Sequence, residues 1–189
     1  MDDPVAVLDY WLDEVGPDGW YAGGEALDTD CRTRWMDLWE AASRGGLDHW
    51  IDGPAGSLAY IVLTDQFPRN MFRGDEKAFA SDSHALAAAR VVLAAGWDMV
   101  VPEPERQFCY LPFEHSEDAD DQALSVRLFT ERLATEPDNI LHARAHQEVI
   151  RRYGRFPTRN AALGRENTAA EIEYLTQGGY MALVNAMKG

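Results

Sequence analysis

Nowhere along the 189 residues do apolar and polar side chains alternate convincingly with period two over the length of a strand. Apolar residues recur at three- and four-residue steps instead, punctuated by glycine and proline, and this commits the chain to helices. Asp3-Pro4 sets a capping carboxylate before a proline at the first helical position, and Val7, Leu8, Trp11, Leu12 and Val15 follow at helical spacing. Gly16-Pro17-Asp18-Gly19 ends that helix. A second one carries Leu27, Cys31, Trp35, Leu38, Trp39 and Ala42 on one stripe and closes at Gly45-Gly46. Residues 47–51 read as a short helical turn, and Pro54 opens a third long segment. Its stretch 58–67 is apolar nearly all round at first, a pattern shared by buried strands and buried helices, and its helical neighbours decide for a helix.

Asp82 is expected to cap an Ala-rich helix running through Leu86, Ala89, Val92 and Leu93 to Gly96. Residues 96–105 form a loop around Pro102 and Pro104, and 107–115 a short helix kinked or ended near Pro112. An amphipathic helix over 118–134 points Ala123, Leu124, Leu128 and Leu133 inward. Pro137 starts another with Ile140, Leu141, Val149 and Ile150 apolar, ended by Gly154. Thr168-Ala169-Ala170-Glu171 is a capping box that opens a helix with Ile172 and Leu175, and a last helix covers 180–187. The expectation is an all-α fold of seven to nine helices, arranged as stacked antiparallel hairpins or an irregular bundle. It forms a single domain over 1–189, or two tightly fused halves.

A formal charge of −15, from 32 acidic against 17 basic side chains, repels phosphate backbones and anionic lipid at long range. Nucleic acid is thereby excluded as a partner, while a local basic patch for a small anion is not. Cys31 and Cys109 stand alone, without metal spacing, and read as small core residues of a reducing compartment. The acidic start Met1-Asp2-Asp3-Pro4 is no signal peptide, and no apolar run approaches the ~20 residues of a membrane span. A soluble, cytoplasmic protein is expected.

Two stretches repeat one theme: Asp65-Gln66-Phe67-Pro68-Arg69-Asn70 with Arg73-Gly74, and Gly154-Arg155-Phe156-Pro157-Thr158-Arg159-Asn160 with Gly164-Arg165. In each, proline disfavours helical geometry at the preceding phenylalanine, so the helix should end there and restart. The Arg and Asn side chains then fall within one turn of a helix start, where free N–H groups favour a negative partner. Two such turns facing each other would line a pocket with guanidinium and amide groups. The alternative is that they are clasps: Arg and Asn at helix ends often satisfy orphan carbonyls, and Asp65 or Glu166 would pair with them.

A second constellation runs from Phe108 to Gln122 and sets Glu114-His115-Ser116-Glu117-Asp118-Ala119-Asp120-Asp121-Gln122 behind the aromatic segment Phe108-Cys109-Tyr110-Leu111-Pro112-Phe113. Ser116 or Asp118 capping the next helix explains most of its acids, but not His115, which sits where an apolar run meets a charged one. A histidine beside carboxylates is a candidate acid or base near neutral pH, so His115 and Glu117 are the catalytic candidates. His142 and His146 lie four apart on one helical face, the spacing of paired metal ligands, yet no Glu follows the first His and the zinc-protease signature is missing. No metal and no cofactor is assigned. Ser116 lacks a nucleophile elbow, and apolar surroundings should raise the Cys109 pKa.

Taken together these residues resemble a bacterial family grouped as domain of unknown function 924. The likeness covers the whole chain: Val7-Leu8-Asp9-Tyr10-Trp11, Leu58-Ala59-Tyr60, both Phe-Pro/Arg-Asn stretches, Ala78-Phe79-Ala80 with Asp82, Tyr110-Leu111-Pro112-Phe113, His115-Ser116-Glu117-Asp118, Gln122 and His146. One departure is visible, Thr158, where the family pattern usually has His. The resemblance implies an all-helical, tetratricopeptide-like fold and carries no activity with it.

Three functions compete. In the first, Gln66, Arg69, Asn70, Arg73, His146, Arg155, Arg159 and Asn160 bind a small anionic ligand beside His115 and Glu117. In the second, the helices form a protein-interaction module, with Trp20, Tyr21, Trp50 and Trp97 as exposed aromatic candidates. In the third, the motifs are architectural only. If their side chains are buried and mutually satisfied, the first reading loses its main support.

Overall fold

A computed structural model describes residues 2–133 and 135–188, and every regular element among them is helical. The chain divides into two compact units, Met1–Pro112 and Phe113–Gly189.

In the first unit, helix α1 spans Pro4–Leu8 and continues as a π-helical stretch, Asp9–Val15. The Asp3 side chain accepts from Val5 N–H at 2.9 Å, the cap that Asp3-Pro4 announces. Gly16, at φ 63°, breaks the helix in the left-handed region that suits glycine. Helix α2, Glu25–Ser43, is closed by Gly45 at φ 78°. Helix α3, Pro54–Ile61, passes through a π-helical stretch, Val62–Gln66, into α4, Phe67–Met71. Helix α5, Asp82–Ala95, ends at Gly96 in the left-handed conformation. Trp11, Tyr10, Trp35, Phe67 and Phe108 form an aromatic core, with ring centroids 5.4 Å apart for Trp11 and Phe67 and 5.7 Å for Tyr10 and Phe67.

The segment before Phe67 is a buried helix, but Pro68 does not end it. Phe67 is helical at φ −60° and ψ −40°. Proline has no N–H and its ring crowds the carbonyl four residues back, here Thr64. The chain answers by widening: the Phe67 N–H bonds the Val62 carbonyl. The Thr64 carbonyl accepts the Ser81 hydroxyl at 2.6 Å, and Ser81 Oγ in turn accepts Trp39 Nε1 at 2.9 Å. The lost helical bond is replaced by one from a distant side chain.

In the second unit, α6 spans Ala119–Arg132 and α7 spans Pro137–Tyr153, with Gly154 at φ 68° ending α7. Helix α8 is Ala169–Thr176, opened by the expected Thr168/Glu171 capping box, and α9 is Gly179–Met187. The core packs Ala145, Val149 and Ile150 of α7 with Phe156, Tyr174, Leu183 and Val184. The inward stripe of α6 differs from the apolar reading: Ala123 is exposed and Leu124 half-buried, while Gln122, Ser125, Leu128 and Phe129 are buried. Gln122 is held inside because its amide donates to the Glu114 and Ser116 carbonyls at 2.6 and 2.7 Å. Position 134, the expected end of this helix, lies outside the described residues. Ile172, an apolar residue of α8, is 52% exposed, whereas Glu171 and Tyr174 are buried.

Candidate active site

The first Phe-Pro turn lies in the first unit and is closed by that unit's own carboxylates. Arg69 Nη2 donates to Asp65 at 2.9 Å and to Asp82 at 3.0 Å, and Asp65 is completely buried. Burial works against the Arg69 charge, but the two carboxylates outweigh it and hold the pKa above its ordinary value. Asp82 is therefore not the expected helix cap: it is the first residue of α5, and its side chain is spent on Arg69. Arg73 forms a two-pronged pair with Asp28, at 2.9 and 2.8 Å, and also donates to Asn70 Oδ1. Gln66 and Asn70 are buried, Gln66 donating to Asp65 and Asn70 to the Gln66 carbonyl.

The second turn lies in the second unit and has a different backbone. Phe156 is extended at φ −89° and ψ 106°, and Pro157–Arg159 is a single 3-10 turn, because Gly154 has already ended α7. Arg155 grips buried Glu171 at 2.6 and 2.8 Å, and Arg165 grips Glu117 at 2.8 and 3.0 Å. Burial alone would raise the Glu117 pKa, but Arg165 and the Phe156 N–H, which donates at 2.8 Å, lower it. Glu117 is thus a carboxylate anchored by its donors. Arg159 lies over the Phe156 ring, 4.6 Å from its centroid, and donates to the His115 carbonyl at 2.9 Å. Asn160 is buried and donates to Asn167. Thr158, which departs from the family pattern, is exposed. In both turns the motif arginines are engaged within their own unit, Arg69, Arg73, Arg155 and Arg165 by carboxylates and Arg159 by the His115 carbonyl.

A different group of side chains keeps chemical freedom. His146, on α7, places Nδ1 2.9 Å from Glu114 Oε1, 2.9 Å from the His142 carbonyl and 3.0 Å from the Tyr180 hydroxyl. The Glu114 side chain is 4% exposed and that of His146 20%. Tyr180 also meets His142 Nδ1 at 2.6 Å. Burial, then Glu114, pushes the Tyr180 pKa up, so its hydroxyl keeps its proton; burial lowers the pKa of His142, which favours the neutral ring. Tyr180 accordingly donates to His142, and His146 Nδ1, ringed by oxygen acceptors, carries the proton. The His115 ring stands 6.2 Å from that of His146, and Phe156 packs edge-on to His146 at 5.5 Å.

Of the sequence candidates, the second unit therefore brings together His146 and His115, with Glu117 and Arg159 fixing the main chain around His115. Glu114 and Tyr180 are the partners that the motif reading did not assign. A carboxylate set between Phe113 and His115 at the end of an apolar run was the available signal, since a buried charge requires a partner. Among the described residues no group of three or more His, Cys, Asp or Glu is placed to hold a metal ion. Burial pushes the Cys109 thiol up to about 12 and raises Cys31 as well, so neither is an activated nucleophile. Of the aromatic candidates for a docking surface, Trp20 and Trp50 are buried and Tyr21 is 62% exposed.

Fold and site define an all-helical protein with arginine-carboxylate clasps and a histidine-carboxylate-tyrosine cluster. The chain belongs to the family described as bacterial protein of unknown function (DUF924), whose model matches residues 7–179. It is similar to a solved structure titled as a protein of unknown function, ATU0120, from Agrobacterium tumefaciens. That likeness has 38% identity and a TM-score of 0.87 and covers 93% of this chain and 97% of the other. No curated protein matches.

Proposed function

We propose that this protein is an enzyme that acts on a small molecule by proton transfer, with His146 as the acid-base residue. The observation that carries this reading is the buried Glu114 carboxylate 2.9 Å from His146 Nδ1. With Nδ1 protonated, the lone pair is on Nε2, and that nitrogen is the base. Once it has taken a proton, Glu114 stabilises the imidazolium and the ring becomes an acid. The clasps then have a positioning role: Arg159 and Arg165 fix the His115 carbonyl and the Glu117 carboxylate, and so set the segment that carries Glu114 and His115.

A small anionic ligand is the substrate class of the motif reading, and in the second unit its support narrows to Arg159, over Phe156 and beside His115, because Arg155 and Arg165 are engaged by carboxylates. The net charge of −15 speaks against nucleic acid. Two free, buried cysteines support a place in the cytoplasm, and no described helix is long and apolar enough to cross a membrane.

The test is the tautomer of His146, read from long-range ¹H–¹⁵N correlations on histidine-labelled protein. Protonated Nδ1 with an unprotonated Nε2 is expected in the neutral ring, and Glu114→Gln should disturb that preference. A neutral ring with its proton on Nε2 overturns the proposal, because Nε2 would then have no lone pair with which to take a proton.

A further inference from the structure

A cleft of about 600 Å³ opens in the second unit, with apolar walls from Ala119, Val126, Ile150 and Met187. Its volume suits one small molecule. Two polar features of its lining stand out. Arg144 lines it, is exposed, and makes no hydrogen bond or ion pair among the described residues. Its neighbour Glu148 does not neutralise it, since that carboxylate is held by Arg151 at 2.6 and 2.8 Å and by Arg152 at 2.6 Å. In a chain of net charge −15 this is a locally basic stretch.

The second feature is Gln122, which also lines the cleft and is completely buried. Its amide nitrogen is fixed by backbone carbonyls, so its orientation is settled, and its Oε1 is buried with no hydrogen-bond partner. A buried acceptor left without a donor is destabilising. Asp118, next to Ala119 at the start of α6, is occupied by the N–H groups of Asp120 and Asp121 that it caps.

We infer that this cleft binds an amphipathic anion: an apolar body against Val126, Ile150 and Met187, an anionic head on Arg144, and a hydroxyl or amide donor directed at Gln122 Oε1. The site is separate from the His146 ring, which meets Glu114 and Tyr180. Gln122 nonetheless touches the catalytic segment, because the carbonyl it bonds at 2.6 Å belongs to Glu114. A ligand on Gln122 therefore acts on the loop that carries the Glu114 carboxylate.

The experiment titrates the full chain with 3-hydroxyoctanoate, following the methyl resonances of Met187 and Val126. Saturable shifts of those methyls are expected, with weaker binding of octanoate, which lacks the donor, and of 1,3-octanediol, which lacks the charge. Arg144→Gln should weaken binding about tenfold, the loss of one charge-assisted hydrogen bond, with an unchanged melting temperature because Arg144 is exposed. No saturable binding, equal affinity for the diol, or unchanged affinity of R144Q overturns the inference. Equal affinity for octanoate overturns the part assigned to Gln122.

Discussion

Replacing Glu171 by Gln tests the clasp reading where it is most quantitative. The carboxylate accepts Arg155 Nε at 2.6 Å on one oxygen, and Arg155 Nη2 at 2.8 Å and the Thr168 N–H at 2.7 Å on the other. A glutamine amide must turn an NH₂ toward one of these donors, so both orientations lose bonds. Arg155, helped by the Thr168 N–H, holds the Glu171 carboxyl at about 2 instead of 4.5, against the opposing effect of burial. At about 1.4 kcal/mol per pH unit, that sets an upper bound of roughly 3.5 kcal/mol. The Arg155 side chain is 28% exposed, and solvent screening of the pair brings the expected loss to about 2 kcal/mol.

Urea unfolding at neutral pH should register this loss, and the melting temperature should fall by about 4–8 °C. The pH dependence carries the sharper test. A carboxyl with a depressed folded pKa stabilises the fold fully above its unfolded value of 4.5, and the contribution disappears as pH falls through about 2. Wild type and E171Q should therefore differ most above about pH 5.5 and converge toward pH 3. A difference under about 0.5 kcal/mol at neutral pH, or one that is undiminished at pH 3, refutes the reasoning.

Arg69→Ala should cost on the order of 2–4 kcal/mol in urea unfolding, because it leaves Asp65 buried without its cation; unchanged stability would contradict the clasp. Ser81→Ala strips the Thr64 carbonyl of its donor and Trp39 Nε1 of its acceptor, for a loss of about 1–3 kcal/mol. A neutral result there would mean that the π turn satisfies itself. His142 titrates in the opposite sense to a paired histidine: burial lowers its folded pKa, so the unfolded chain takes up the proton first. Stability should decline as pH drops below the ordinary 6.5, and His142→Asn should flatten that decline; a slope identical in the variant rules His142 out as its source.

The punctuation of the helices was legible because its chemistry is local. The Asp3 cap, the Thr168/Glu171 box and the left-handed glycines Gly45, Gly96 and Gly154 each depend on residues within a turn of themselves. Asp82 shows where that reach ends: its composition suits a cap, but a competing cation, Arg69, takes the carboxylate. The two Phe-Pro turns share a sequence pattern and not a conformation, because Ser81 supplies a donor that keeps one helix running while Gly154 stops the other before its proline.

The amino-acid sequence by itself determined that the chain is helical and where most helices start and stop, and it marked the arginines, histidines and acids that are candidates for polar chemistry. Only the tertiary structure decided which of them meet. It spent the motif arginines on Asp65, Asp28, Glu171 and Glu117, and it set Glu114 and Tyr180 around His146. The physical reason is that helix signals act over a few residues of chain, whereas the partner of a buried charge is chosen by desolvation and by elements far apart in sequence.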